Sequence, residues 1–346
     1  MLKNLFSFKL IGDSLGMDLG TANTLIYKKG KGIVLDLPSV IAVSKKSNKV
    51  LSIGDEAKRM LGKTPQNILA IRPMQDGVIA DFDITRKMVE CFLLRVQPQR
   101  AIIGPKLIIG VPSRATKVEK RALVDIAKEL GARKVYLVAE AVAAAIGADL
   151  PISEPLGNMI VDIGGGTSES AIVSLNGVVV SKSTRIAGDE MNQAIVQYIK
   201  EEYKLYIGDG VAEQMKIDVG CIYPSSENKK IKVRGRDLNS GFPSEAEIDL
   251  EEINVIFISV LSSIVDIIEE TLEECPPELA SDIMKNGIHL SGGGACLKDL
   301  DRYISERAHL PVKLVPKPLF SVTLGLGKLL DDRDLLSTVE ITPNLK

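Results

Sequence analysis

The stretch "MIVDIGGGTSES", Met159–Ser170, decides how this chain is read. An apolar run ends in an aspartate, three glycines follow, and hydroxyl residues close the stretch. Consecutive glycines lose much conformational freedom on folding, so so bare a backbone needs a reason. "LGMDLGTANTL", Leu15–Leu25, repeats the layout near the start of the chain: strand, Asp, apolar residue, Gly, Thr, second strand. In "MDLGTANTLIYKKG" (Met17–Gly30) and "VDIGGGTSESAIVSLNG" (Val161–Gly177) the frames match, with Asp18 and Asp162 separated by 144 residues. A repeat of that period indicates two duplicated α/β domains rather than a solenoid.

A hairpin that turns on Gly and Thr can aim backbone N–H groups into one concavity, an anion nest. The absence of Cβ lets a phosphate approach, and the hydroxyls of Thr21 and Thr167 add donors. Asp18 and Asp162 would repel phosphate directly. They suit Mg²⁺, which keeps several waters and links carboxylates to phosphates. Two such hairpins facing each other would clamp a nucleoside triphosphate; a plain tight hairpin is the simpler reading of either one alone. A third cluster, "HLSGGGACLKDL", sets Gly292, Gly293 and Gly294 between a strand and a helix expected to begin near Ala295. It lacks the G-x-G-x-x-G spacing of a dinucleotide turn. "AKRMLGKT", Ala57–Thr64, fits a relaxed Walker A pattern, but the residues before Gly62 read as a helix where a P-loop needs a strand end.

Around these motifs the chain alternates. "KLIIGVP", "KVYLVA" and "NMIVDI" are strands, separated by the amphipathic "ATKVEKRALVDIAKELG" and the Ala-rich "EAVAAAIGADL". That β-α-β-α-β order implies a parallel sheet with helical crossovers. Asn176-Gly177 is expected to turn a type I′ hairpin. "DEMNQAIVQYIKEEY", "AEQMKIDVG", "LEEINVIFISVLSSIVDIIEETLEEC" and a segment including Thr323–Leu330 read as helices. Glu140 opens the Ala-rich helix at the carboxyl edge of the sheet, where open α/β sheets bind ligands. A carboxylate there can orient or deprotonate a water beside a γ-phosphate, or it can simply favour the helix N-terminus; spacing alone favours the second.

Composition narrows the class. The 346 residues suffice for two domains, 45% are apolar and 25% charged, and the net charge of −2 argues against a general nucleic-acid binder. Cys91, Cys221, Cys275 and Cys296 are scattered, with no CxxC, and are expected to be reduced thiols of a cytosolic protein. With only His289 and His309, a histidine triad or His-rich metal site is disfavoured.

"DLGTANT", "DIGGGT" and "LSGGGA", in that order, resemble the actin–Hsp70–sugar kinase ATPase superfamily. "AIRPMQDGVIADF", "IIGVPSRATKVEKRAL", "IAGDEMNQAIVQYIK" and "PPELASDIMKNGIHLSGGG" are similar to its bacterial actin (MreB) branch, and the resemblance spans essentially the whole chain. It implies an α/β, two-lobed actin-like (ribonuclease H-like) ATPase fold with duplicated core domains and two smaller inserted subdomains. Lobe I would take residues 13–150 and 321–346, with an insertion at about 33–74. Lobe II would take 151–320, with an insertion at about 182–246, and 1–12 would be a short amphipathic N-terminal segment.

ATP and Mg²⁺ are the implied cofactors. By matching positions, Asp18 and Asp162 would flank the metal through waters. Thr21, Ala22 and Asn23 would form one phosphate loop and Gly164, Gly165, Gly166 and Thr167 the other. Glu213, Gln214, Met215 and Lys216 would meet the ribose and adenine, with Gly293, Gly294, Ala295 and Cys296 completing that pocket. Glu140 would be the catalytic glutamate, with Thr167 beside the attacking water. Three positions depart from the family pattern: Ala141 replaces a proline, Ser168 a threonine and Gln214 a common arginine. The first puts the hydrolysis rate in question more than nucleotide binding.

Leu2, Leu5 and Phe6 fall at i, i+3, i+4, which reads as a very short amphipathic helix, unstable in water but able to form in a membrane interface, against the alternative of a disordered tail or a segment docked on its own domain. Ile102 and Ile103, in "RAIIGPK", offer a second membrane contact, against the alternative of a loop tucked under its domain. The resemblance further implies head-to-tail protofilaments, paired antiparallel, at the inner face of the cell membrane, with wall-synthesis and shape proteins as partners. ATPase activity linked to polymerisation is expected, not metabolic catalysis. The alternatives are a small-molecule kinase of the same superfamily, for which no acceptor loop is evident, and a chaperone ATPase, for which no separate substrate domain follows.

Overall fold

A computed structural model describes residues 9–98, 101–223 and 230–342. They divide into two units: the first runs to Leu156 and adds Val173–Val178 and the chain from Leu319, and the second takes Gly157–Ile172 and Val179–Pro318.

Unit 1 begins with β1 (Lys9–Ile11), β2 (Ser14–Leu19), β3 (Asn23–Lys28) and β4 (Gly32–Pro38), the last three paired antiparallel in chain order. β5 (Ile41–Ser44), β6 (Val50–Ile53) and β7 (Ile68–Ile71) form a separate sheet, with α1 (Asp55–Met60) between β6 and β7 in sequence. α1 runs up to the "GKT" of the Walker-like match, so no strand precedes it and that reading is excluded. β8 (Met74–Gln75) and β9 (Val78–Ile79) are joined by Asp76-Gly77, both at positive φ, the turn an Asp-Gly pair favours. α2 (Phe82–Val96) follows. β10 (Ala101–Ile103) pairs in parallel with β1. β11 (Lys106–Val111) and β12 (Lys134–Ala139) extend the main sheet to the order β12-β11-β2-β3-β4, with α3 (Lys117–Glu129) as crossover. A reciprocal capping box between Thr116 and Glu119 starts α3. α4 (Glu140–Gly147) begins where β12 ends.

The period-2 alternation of β2 explains its two faces. Leu15, Met17 and Leu19 enter a buried cluster with Met88 and Phe92 of α2. Gly16 and Asp18 take the other face.

Unit 2 repeats the design. β13 (Asn158–Ile163), β14 (Ser168–Ser174) and β15 (Gly177–Thr184) are followed by α5 (Gly188–Glu202), β16 (Leu205–Tyr206), α6 (Asp209–Val219), β17 (Lys230–Asp237) and β18 (Pro243–Asp249). α7 (Leu250–Glu273), α8 (Pro277–Asn286), β19 (Ile288–Ser291), α9 (Leu300–Ala308) and β20 (Val312–Leu314) complete it. Its main sheet is ordered β15-β14-β13-β19-β20. Read from the other end, β20-β19-β13-β14-β15 matches β12-β11-β2-β3-β4 strand for strand, so the repeat seen in the residues is a repeat of topology. α10 (Ser321–Asp331) and α11 (Arg333–Val339) return the chain to unit 1.

Two local expectations shift. The β14–β15 turn is centred on Leu175-Asn176, both at positive φ, one residue before Asn176-Gly177. The N–H groups of Leu175 and Asn176 donate to the carbonyls of Glu154 and Ile152, which holds the turn in that register. The helix expected near Ala295 starts only at Leu300, after a single 3₁₀ turn, Gly294–Cys296. Lys298 is drawn into a bridge with Cys221 and Asp299 sits at positive φ, so no longer helix forms there.

Candidate nucleotide site

In unit 1, Asp18 and Glu140 lie at the same edge of the sheet, because β2, β11 and β12 run parallel and in register. α10 backs that edge. Thr323 on α10 donates from Oγ1 to Asp18 Oδ2 at 3.4 Å. A Cβ on Gly110 would lie 3.2 Å from Val322 Cγ1 and 3.4 Å from Glu140 Cγ, so a bare position in β11 admits both. α4 and α10 touch backbone to backbone: a Cβ on Gly147 would lie 1.9 Å from the Ser321 oxygen, and one on Gly325 1.8 Å from the Ala143 oxygen. That contact explains why residues 143 and 147 are small.

The first loop is held from behind by buried Ser39. Its Oγ donates to the Gly20 carbonyl at 2.6 Å and its N–H to the Ala22 carbonyl at 2.9 Å. In a planar trans peptide the next N–H points opposite to the carbonyl. With Gly20 C=O turned to Ser39, the Thr21 N–H points away from it. Thr21 Oγ1 accepts from the Gly77 N–H at 2.9 Å, so the Asp-Gly turn of "RPMQDGVIADF" props the loop. Asn23 is tied to Asp36, donating from Nδ2 at 3.0 Å.

In unit 2 the amino end of α5 does the same work. The N–H groups of Gly188 and Asp189 donate to the carbonyls of Gly164 and Gly165 at 3.2 and 2.7 Å, which satisfies helix donors that have no intrahelical partner. By the same planarity, the N–H groups of Gly165 and Gly166 both point away from α5, a pair of adjacent donors facing one side. Lys216 Nζ donates to the Gly188 carbonyl at 2.6 Å and braces that corner. Ser168 is fully buried and donates from Oγ to the Ile186 carbonyl at 2.7 Å, so its hydroxyl is structural.

Asp162 and Ser291 are register partners on β13 and β19, and Ser291 Oγ donates to Asp162 Oδ1 at 2.6 Å. Burial pushes the Asp162 carboxyl above the usual range, and the Ser291 hydrogen bond opposes that shift. The third glycine cluster packs on the second motif. Gly292 has φ +85°, and a Cβ there would lie 2.3 Å from the Ile163 oxygen; any side chain is excluded.

On α6, Glu213 and Lys216 share a face at i, i+3. Gln214 is exposed and donates to Asp218 Oδ1 at 2.7 Å, while Met215 is buried in the unit 2 core. Ala295 is buried in the same core; Gly293 and Cys296 are exposed. Ile102 and Ile103 are 71% and 42% exposed, not tucked beneath the domain. Leu2, Leu5 and Phe6 lie outside the described residues. Among the described residues no helix is long and apolar enough to cross a membrane.

Sequence reasoning missed Ser39, Ser291, Thr323 and the α5 terminus. Ser291 stands directly before "GGG" and was open to notice; Thr323 is 305 residues from Asp18 and has no local signature.

A family model described as MreB/Mbl protein matches residues 12–338. The chain is 47% identical over 331 residues to the cell shape-determining protein MreB of Escherichia coli (strain K12), covering 94% of this chain and 95% of that one. It is 44% identical over 322 residues to the cell shape-determining protein Mbl of Bacillus subtilis (strain 168), covering 93% and 97%. The crystal structure of MreB5 of Spiroplasma citri bound to ADP superposes with a TM-score of 0.88 at 38% identity, covering 92% of this chain and 96% of that one. Matching glycine hairpins, a duplicated sheet order and agreement over nearly the full length lead to one conclusion: the chain belongs to the MreB/Mbl family and has its actin-like fold.

Proposed function

We propose that this protein binds ATP with Mg²⁺, polymerises head to tail, and scaffolds cell-wall synthesis at the inner face of the membrane, thereby setting cell shape. The observation that carries the reading is the pair of topologically equivalent hairpins, each with an aspartate at its strand end and its loop carbonyls tied back. The cell-shape role of the named relatives and the binding of ADP and AMPPNP by MreB5 support it.

The residues fit a metal–nucleotide pair. Burial disfavours the Asp162 carboxylate, and a nearby cation offsets that penalty. Mg²⁺, when bound, would neutralise phosphate charge. Asp18 and Asp162 would hold the metal through water; the Thr21, Gly165 and Gly166 N–H groups would donate to phosphate oxygens; Glu213 and Lys216 would meet the ribose and adenine beside Gly293–Cys296. Glu140 orients and deprotonates the attacking water, with Thr167 beside it, giving slow hydrolysis coupled to polymerisation.

At the membrane, Ile102 and Ile103 insert together with Leu2, Leu5 and Phe6. Each buried Ile contributes about 1.5–3 kcal/mol before ordering costs, so one subunit adheres weakly and a filament adheres through many copies. Head-to-tail contacts do not close, so they propagate.

Sedimentation with ATP and Mg²⁺ tests the reading. Nucleotide-dependent pelleting, lost in Asp162→Asn, is expected. A soluble protein at every concentration, or one that phosphorylates a small acceptor faster than it hydrolyses ATP, would overturn it in favour of the kinase alternative.

A further inference from the structure

The amino ends of the unit 1 strands, opposite the edge bearing Asp18 and Glu140, carry a second feature. Ser14, Lys106 and Lys134 are register partners there, at the starts of β2, β11 and β12. Six residues of strand separate the two edges by about 20 Å. At this end a cavity of about 310 Å³ is lined by Lys106, Arg133, Lys134, Tyr136, Arg333 and Ser337, a volume at the lower end of small-molecule pockets. Glu340 is the one acidic residue on the lining.

Four cations thus share one small cavity. Among the described residues none of the four has a carboxylate within ion-pair distance. Neighbouring Lys29 differs: it meets Asp331 at 2.9 Å and the Leu330 carbonyl at 2.9 Å. Lys106 Nζ lies 5.0 Å from the centroid of the Tyr136 ring. Burial, and then the charges of Arg333, Lys29, Lys134 and Arg133, hold the Lys106 ammonium below its ordinary value. Four like charges gathered around a single acidic residue, with none of them ion-paired, are unfavourable until an anion joins them.

The surroundings say which anion. β10 ends three residues before Lys106 and carries exposed Ile102 and Ile103. Ile11 of β1, the register partner of Ile103, is 45% exposed. Three extended residues span about 10 Å, so an apolar ridge and a cationic cavity lie side by side at one end of unit 1. A phosphate ester attached to acyl chains matches both at once. We propose that this cavity binds the phosphate of an anionic phospholipid headgroup while Ile11, Ile102 and Ile103 meet the acyl boundary. The proposal rests on the membrane reading of Ile102 and Ile103 given above.

The test uses full-length protein. Adsorption is measured to phosphatidylcholine vesicles with and without phosphatidylglycerol, and solution binding to short-chain dihexanoyl phosphatidylglycerol and to inorganic phosphate. Phosphatidylglycerol should strengthen adsorption, and Lys106→Gln and Arg333→Gln should each weaken it about fivefold, with Arg121→Gln as a charge-matched control that changes little. The short-chain lipid should bind the wild type and lose affinity in the double variant, while Ile102→Ser/Ile103→Ser retains that solution binding. Vesicle adsorption that needs Ile102 and Ile103 but ignores phosphatidylglycerol and both charge substitutions would leave the membrane reading standing and overturn the pocket. Inorganic phosphate binding as tightly as the short-chain lipid would overturn the lipid source. A protein that adsorbs to no vesicles and binds no short-chain lipid would overturn both readings.

Discussion

Gly325→Ala tests whether the α4–α10 contact positions the edge proposed to carry hydrolysis. The added Cβ would sit 1.8 Å from the Ala143 oxygen and 2.6 Å from its carbonyl carbon, both backbone atoms of α4. The oxygen contact must open to about 3.4 Å, and no side-chain rotation relieves it. Alanine gains up to about 1 kcal/mol in helix propensity over glycine. Overpacking a tight contact costs about 1–3 kcal/mol, and a backbone clash belongs at the upper end. The expected net is a loss of about 1–2 kcal/mol, read as a lower urea midpoint. Because Glu140 is the first residue of α4 and Thr323 ties α10 to Asp18, the displacement should also reach the chemistry. A misplacement of about 1 Å can lower the rate about a hundredfold. Single-turnover ATP hydrolysis should fall by ten- to a hundredfold, on the order expected from that displacement, with nucleotide affinity changed far less. Gly327→Ala, on the same helix, is the comparison: its Cβ would meet the Tyr27 ring on β3 at 2.7 Å, so its strain goes elsewhere and hydrolysis should fall less. A Gly325→Ala protein with wild-type midpoint and wild-type turnover would refute the claim that this contact sets the position of Glu140.

Ser168→Ala removes the buried donor to the Ile186 carbonyl and should lower stability by about 1–2 kcal/mol, while turnover per folded molecule stays unchanged; a specific fall in hydrolysis would give Ser168 a part in the reaction. Gly210→Ala, near the start of α6 with open space around it, should stabilise by up to about 1 kcal/mol without altering nucleotide affinity, checked by urea unfolding and titration. The hydroxyls of Tyr198 and Tyr203 both donate to Glu252 Oε2, at 2.9 and 2.6 Å. Burial first, then the Glu252 hydrogen bond, push Tyr198 up to about 12 and raise Tyr203 as well. A raised folded-state value means this stabilisation is complete below the ordinary tyrosine range near 10 and is lost as pH rises through about 12. Alkaline unfolding should therefore be less steep in the Tyr198→Phe/Tyr203→Phe double variant; an unchanged slope would discount the pair.

What was legible in the residues follows from how each feature is encoded. Periodicity and turn chemistry are local, so strands such as "KLIIGV" and the "DLGT" and "DIGGGT" hairpins can be read directly, and the repeat exposes the duplicated sheet. The supports of the site are not local. Ser39 grips the Gly20 carbonyl from across a strand pair, the α5 terminus grips Gly164 and Gly165, and Thr323 reaches Asp18 from the far end of the chain. Nothing in their immediate sequence distinguishes them from ordinary serines, threonines and helix starts. The Leu175-Asn176 turn failed for the same reason: Asn-Gly propensity pointed one residue on, but two carbonyls of residues 152 and 154 fixed the register. The alanines after Glu140 show the converse. In sequence they read as helix propensity; in the fold Ala143, with Gly147, makes the thin face that lets α10 approach to backbone contact, while Ala141 is buried on another side of α4. A helix held through its backbone has little need of a proline to set its pitch, so Glu140 can keep its place at the sheet edge without one.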